Sequence, residues 1–164
     1  METIIFSRVN ELKKELDFLQ KKLNVKIKID GKRVTFGGEP FEEYEANLVM
    51  EAINFGYPVR TAILLKEEDV VFRKLSLKDF TRRKDLEVIK ARLIGTYGRT
   101  KRTIENLSDC RIIIKDNEIG ILCSAEEIEY TITGIASLIR GSKQANVYKF
   151  LERVNAQRKK QNKK

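Results

Sequence analysis

The second half of this chain contains two glycines three positions apart, Gly95 and Gly98, between two short helical patterns. Apolar residues recur every three or four positions over residues 86–94, and a second helical pattern runs over about residues 100–109. An apolar strand at residues 70–75 precedes these helices, and a hairpin and two further helices follow them. The predicted order is strand, helix, glycine loop, helix, two strands and two helices, which requires an α+β fold.

The hairpin after the glycine loop is predicted with a defined register. Asp116 and Asn117 are typical of a two-residue turn. The turn places three pairs of residues opposite each other: Lys115 and Glu118, Ile114 and Ile119, and Ile112 and Ile121. The same register brings Cys110 opposite Cys123 on the apolar face, with Cβ atoms about 4.5–5.5 Å apart. We expect two reduced, buried thiols that behave as small apolar residues.

The first half repeats this order of elements in a degenerate form. It has a strand at residues 3–6, an apolar helical stripe ending at Leu23 and a hairpin turn at Asp30-Gly31. A helix follows at residues 41–55, with Tyr44, Leu48, Ala52 and Phe55 on one side. Where a glycine loop would stand, Asn10-Glu11-Leu12-Lys13 continues an unbroken helical pattern. We therefore expect one helix before this hairpin.

The patterns divide the chain into three parts. Residues 1–66 form the first domain and residues 67–155 the second, which ends in a helix. Residues 156–164 form a basic tail, either a disordered solubilising end or a contact with nucleic acid.

The positive charge of the chain is concentrated in two blocks. The net charge is +9, and residues 73–102 hold 11 Lys or Arg against 3 Asp or Glu. Residues 153–164 hold 6 Lys or Arg and no acidic residue, whereas residues 1–72 have a net charge of −2. Blocks of one sign create a local field that attracts polyanions.

Composition excludes several classes of function. The chain has no histidine and two cysteines, which excludes Ser-His-Asp and Cys-His catalysis and a zinc site of four Cys or His ligands. No stretch of 18 apolar residues occurs, so we expect no membrane span. Few cysteines and no secretory signal pattern indicate a reducing, cytoplasmic location, and we expect no cofactor and no metal.

The glycine loop has the chemistry of a phosphate-binding site. Glycine has no Cβ, so a nucleic-acid backbone can approach closely. The helix that follows directs its free N–H groups and its positive dipole end towards phosphate. Arg99, Lys101 and Arg102 add charge in the first turn of that helix. Tyr97, between the glycines, is either a stacking platform for a base or an ordinary exposed aromatic residue.

The run from Ile94 to Glu105, placed between two short helices and followed by a hairpin and a helix, resembles the Gly-x-x-Gly region of a type I KH domain. The resemblance implies that the loop clamps about four nucleotides and that bases lie in an apolar groove beside it. Ile94, Ile112 and Ile114 are the candidates for that groove, with core packing as the alternative for the last two. The implied RNA-binding residues are Arg92, Ile94, Gly95, Thr96, Tyr97, Gly98, Arg99, Lys101, Arg102, Ile112 and Ile114.

The segments at residues 92–105 and 141–152 are similar to the second KH domain and C-terminal helix of the ribosome-assembly KH proteins shared by archaea and eukaryotes. That family is the partner of the NOB endonuclease, which matures the 3′ end of small-subunit rRNA. The resemblance implies two tandem type I KH-like modules, each a three-stranded sheet packed against helices, with the first degenerate. It also implies that the ligand is single-stranded RNA, namely small-subunit rRNA near its 3′ end. The implied protein partner is a NOB-type endonuclease or an initiation factor.

Two other functions remain open from the residues. One is a KH adaptor in translation initiation or RNA decay. The other is a metal-dependent nuclease in which Glu67-Glu68-Asp69 or Glu126-Glu127 holds Mg²⁺. A polar linker explains the first acidic cluster better, and a capping box at Ser124-Ala125-Glu126-Glu127 explains the second. We therefore expect a non-catalytic protein.

Overall fold

The computed structural model describes residues 1–162 and divides into two compact units, Met1–Val70 and Val71–Lys164. The division falls at the first residue of a strand, a few residues after the boundary at residue 66 that the sequence pattern indicates. Residues 67–69 form a turn ahead of this strand. No helix within residues 1–162 is both long and apolar enough to cross a membrane.

The first unit is a three-stranded antiparallel sheet with helices. Its middle strand pairs with the strand on either side, so that Ile4 and Ile29 both lie opposite Val34. Its elements are β1 (Glu2–Ile5), α1 (Asn10–Lys14), α2 (Leu16–Leu23), β2 (Lys26–Asp30), β3 (Arg33–Gly37), α3 (Pro40–Phe55) and α4 (Val59–Ala62), followed by a 3₁₀ turn at Ile63–Lys66.

Two helices, not one, precede the first hairpin, so the expectation of a single helix was wrong. The break lies at Glu15, whose φ of −109° and ψ of 17° leave the α-helical region. Leu12 and Leu19 are both fully buried, one on each side of the break. The apolar spacing therefore continues across a one-residue kink, which is why the pattern looks unbroken. The order of elements in the first unit is thus the same as in the second, without glycines at the corner.

Helix α3 buries part of the expected face. Ala52 and Phe55 of that face are buried and Leu48 is half-buried, whereas Tyr44 is 64% exposed. The other buried positions are Ala46, Val49, Met50 and Ile53. Packing against the sheet therefore shifts the buried stripe away from Tyr44. The helix ends at Gly56, whose φ is +134°.

The second unit has the same sheet order, with its last strand in the middle of the sheet. Its core contains residues from every helix and from the hairpin. Its elements are β4 (Val70–Ser76), α5 (Leu86–Ile94), α6 (Arg99–Ser108), β5 (Arg111–Lys115), β6 (Glu118–Ser124), α7 (Ile128–Ile139) and α8 (Gln144–Asn162), with 3₁₀ turns at Leu77–Asp79 and Thr96–Gly98.

The register of the second hairpin is confirmed. Lys115 pairs with Glu118, and the isoleucine pairs follow as predicted. Cys110 and Cys123 are buried, free thiols, and Sγ of Cys110 lies 3.3 Å from Oγ1 of Thr131. Contact with the Cys123 thiol and burial raise the pKa of Cys110, so it stays protonated. The pair therefore packs as apolar core.

The predicted capping box does not form. Ser124 remains in β6, with its hydroxyl buried and unbonded among the described residues, and α7 begins at Ile128 without a side-chain cap. Strand β6 continues through Ser124, and residues 125–127 turn before the helix.

The basic tail is helical as far as the structure describes it. Helix α8 runs unbroken from Gln144 to Asn162. Residues 163 and 164 of the tail lie outside the described residues. The expected boundary at residue 156 therefore falls within a helix.

Candidate nucleic-acid interface

The glycine loop forms a tight corner between α5 and α6. The N–H of Gly95 donates to the carbonyl of Ala91 at 2.8 Å and ends α5, and the N–H of Gly98 donates to the carbonyl of Gly95 at 3.1 Å. Tyr97 has a φ of +55°, in the left-handed region that non-glycine residues rarely adopt. Helix α6 then begins at Arg99.

The two glycines have different structural roles. A Cβ on Gly95 would lie 2.2 Å from Oγ1 and 2.7 Å from the backbone nitrogen of Thr100, so only glycine fits between the two helices. A Cβ on Gly98 would meet nothing closer than the guanidinium of Arg102 at 3.7 Å. Gly95 thus sets the corner, and Gly98 leaves its outer side open to a ligand.

The open side of the corner carries positive charge and an aromatic ring. Tyr97 is 85% exposed. Arg99 and Arg102 are exposed in the first turn of α6, and Arg102 donates a hydrogen bond to the carbonyl of Tyr97 at 3.0 Å. No side chain caps α6 at Gly98, so the first N–H groups of the helix lie at the same end as both guanidinium groups.

Two of the predicted phosphate-binding cations are engaged within the second unit. Nζ of Lys101 donates to the carbonyl of Ile112 at 3.1 Å and lies 3.5 Å from Glu105. The guanidinium of Arg92 donates to the carbonyl of Ser142 at 3.1 Å. Lys101 therefore ties α6 to β5, and Arg92 ties α5 to the loop before α8.

A shallow apolar depression lies between α6 and the hairpin. Ile112 is only 4% exposed and belongs to its floor, whereas Ile114 is half-buried and Ile94, at the end of α5, is 38% exposed. The depression is lined by Leu93, Lys101, Ile104, Ile112, Ile114, Ile119 and Ile135. Of the three candidate groove residues, Ile94 and Ile114 are accessible to a base.

Two positioning residues of the corner escaped the sequence analysis. Thr100 is 4% exposed, and its hydroxyl accepts a hydrogen bond at 3.0 Å from the side chain of Gln144 at the start of α8. Glu105 accepts a hydrogen bond from the N–H of Ile112 at 3.0 Å and so orients Lys101. These contacts join residues that are far apart in sequence or on different elements, and no local pattern signals them.

A family model described as a eukaryotic type KH-domain, KH-domain type I, and labelled as the second KH domain of PNO1, matches residues 71–156. This match covers just over half of the chain, and it contains the whole corner from α5 to α6.

Curated relatives extend the similarity into the first unit. A KH domain-containing protein of Methanocaldococcus jannaschii is 28% identical over 142 residues, which are 82% of this chain and 63% of that protein. The RNA-binding protein pno1 of Drosophila pseudoobscura pseudoobscura is 33% identical over 141 residues, 81% of this chain and 59% of that protein. The chain spans about three fifths of the length of these relatives.

Solved structures with the same architecture agree. Dim2p from Pyrococcus horikoshii has a TM-score of 0.81 at 25% identity, covering 93% of this chain and 98% of that one. A complex of a/eIF2alpha, aDim2p and rRNA from the same organism contains a chain with a TM-score of 0.79 at 26% identity, covering 95% and 94%. The chain therefore belongs to the PNO1/Dim2 family of KH-domain proteins.

Proposed function

We propose that this protein binds single-stranded RNA at the corner between α5 and α6 and acts in small-ribosomal-subunit assembly. The observation that carries the proposal is the open side of Gly98, which faces the uncapped start of α6 beside Arg99 and Arg102. An RNA backbone on this side accepts hydrogen bonds from the free N–H groups and ion pairs from the guanidinium groups.

The bases of the bound nucleotides follow the apolar depression. Ile94 and Ile114 offer accessible apolar surface, and the ring of Tyr97 is free to stack on a base. Lys101 and Ile112 line the depression, and Nζ of Lys101 donates to the carbonyl of Ile112.

The RNA in this proposal is small-subunit rRNA near its 3′ end. Relatives are named pre-rRNA-processing proteins, and one similar chain forms a complex with rRNA and a/eIF2alpha. The alpha subunit of that initiation factor, or a NOB-type endonuclease, is the protein partner that we propose. The role is one of binding, with no catalytic step assigned to this chain.

Substitution at the corner tests the proposed site. Gly98→Asp adds a negative charge where phosphate would lie, while aspartate tolerates the left-handed backbone at this position. We expect the affinity for a short RNA from the 3′ end of small-subunit rRNA to fall by about tenfold or more. Fluorescence anisotropy measures the affinity, and thermal unfolding shows whether the fold is kept.

Lys13→Asp is the matched control in the first unit. Lys13 is exposed in α1, just before the glycine-free corner at Glu15. We expect this change to alter the RNA affinity by less than about twofold, since that corner has no loop to hold phosphate. A larger loss from Lys13→Asp than from Gly98→Asp would assign RNA binding to the first unit instead.

A further inference from the structure

The basic end of helix α8 lies against the rest of the second unit. Val147, Leu151 and Val154 are buried on one face of the helix, which packs against α6 and α7. Arg158 continues this face, and its Nη1 lies 3.2 Å from Oε2 of Glu127, a residue with no exposed surface. The segment up to Arg158 is therefore docked as a rigid extension of the helix.

This docking contact is a weak source of stability. Taking both charges out of water largely offsets their attraction. Moreover, the two carboxylate oxygens of Glu127 have no aligned hydrogen bond within residues 1–162, and Nε of Arg158 has none either. A tail that only kept the protein soluble would not need to be ordered, since charge alone provides solubility.

The face of α8 opposite the docked one is mainly basic and also carries Glu152. Lys149, Arg153 and Lys160 are exposed and fall within one stripe at helical spacing. The stripe extends over about 16 Å of helix, the length of several phosphates along a nucleic-acid strand. Glu152 lies at its flank. The helix dipole accounts for a cation in the last turn, such as Lys160, but not for the other two.

We propose that this α8 stripe (Lys149, Arg153 and Lys160) binds phosphates of an RNA segment outside the nucleotides held at the glycine corner. The inference rests on the proposed function, because it takes the ligand to be RNA. The stripe points away from α6, and the corner holds only about four nucleotides. The phosphates that the α8 stripe contacts therefore belong to RNA that flanks the nucleotides at the corner. Flexible cations on a rigid helix bind phosphate without reading sequence.

The experiment compares two RNA probes from the 3′ end of small-subunit rRNA. The short probe is a single strand of about 6 nucleotides that fills the corner. The long probe has about 30 nucleotides and contains the sequence of the short probe. We expect Lys149→Glu with Arg153→Glu to weaken binding of the long probe about tenfold and that of the short probe less than twofold. The slope of log affinity against log salt for the long probe should fall by roughly 1.4, for two lost contacts.

The control carries the same change of charge elsewhere in the second unit. Lys74→Glu with Lys78→Glu alters two exposed lysines at β4 and the turn after it, and should preserve the ratio of long-probe to short-probe affinity. Lys149→Gln with Arg153→Gln should give an intermediate loss with the fold intact by thermal unfolding. If the α8 variants keep the wild-type ratio of long-probe to short-probe affinity, the inference is overturned. The stripe then faces an acidic protein or solvent. Loss of the proposed function would appear separately, as short-probe binding that Gly98→Asp leaves unchanged.

Discussion

At the scale of single residues, the corner depends on one glycine for its shape and on another for its access. Gly95 has a φ of 76° and a ψ of 173°, a combination that is essentially restricted to glycine. Gly98 has a φ of 74° and a ψ of 16°, which asparagine and aspartate also adopt. The same motif therefore contains one position where the fold requires glycine and one whose outer side is open.

Alanine substitutions separate these two roles. Gly95→Ala should lower the free energy of unfolding by about 3 kcal/mol, since it combines backbone strain with a clash against Thr100. Gly98→Ala should lower it by about 1 kcal/mol, the cost of a left-handed alanine in open space. Urea unfolding of both variants measures the difference. Equal losses at the two positions would contradict the distinction.

At the scale of elements, helix–helix contacts position the site more than local sequence does. Gln144 at the start of α8 holds Thr100 at the start of α6, and Arg158 near the other end of α8 holds Glu127 just before α7. Helix α8 thus contacts both the start of α6 and the residue before α7. Its docking links the corner to a buried acidic group.

That acidic group makes stability depend on pH. Burial raises the pKa of Glu127 above its ordinary value, against the opposing effect of the Arg158 guanidinium. The folded chain therefore binds this proton more tightly than the unfolded chain, so the contribution of Glu127 to stability is greatest at acid pH. It falls as the pH rises from the unfolded pKa, about 4.3, through the raised one.

Glu127→Gln removes this titration. We expect the melting temperature of the wild type, relative to that of the variant, to decrease as the pH rises from about 4 to about 7. Differential scanning calorimetry at several pH values measures both. A difference that stays constant or increases with pH would show that Arg158 dominates the environment of the carboxyl group.

At the scale of the whole molecule, the charge is divided unequally along the chain. Residues 1–72 have a net charge of −2, whereas residues 73–164 hold 22 Lys or Arg and 11 Asp or Glu. The second unit, which contains the glycine corner, therefore provides the electrostatic attraction for a polyanion.

Binding of a short RNA should consequently weaken with salt. About three phosphates at the corner would give a slope of roughly −2 for log affinity against log salt. Raising the salt concentration from about 50 to about 200 mM should then reduce the affinity about 16-fold. Anisotropy titrations at four salt concentrations measure the slope. An affinity independent of salt would remove the electrostatic basis of the proposed site.

The sequence by itself determined those features that arise from neighbouring residues. The turn at Asp116-Asn117 sets the register of β5 and β6 because backbone preferences at a two-residue turn act locally. Gly95 and Gly98 mark the corner for the same reason. Apolar periodicity located most of the helices and strands, and their order around the corner indicated a type I KH domain. The residues at 92–105 and 141–152 carried the resemblance to the family.

Only the tertiary structure decided the features that depend on distant residues. At the break, Arg60 bonds the carboxylate of Glu15 at 3.2 Å and covers the ring of Phe18 at 3.6 Å. Arg158 of the helical tail lies against the buried Glu127, and Nζ of Lys101 donates to the carbonyl of Ile112. These partners come together only when the helices pack on the sheet. Each contact joins residues separated by a stretch of chain, and no local sequence pattern indicates which residues will meet.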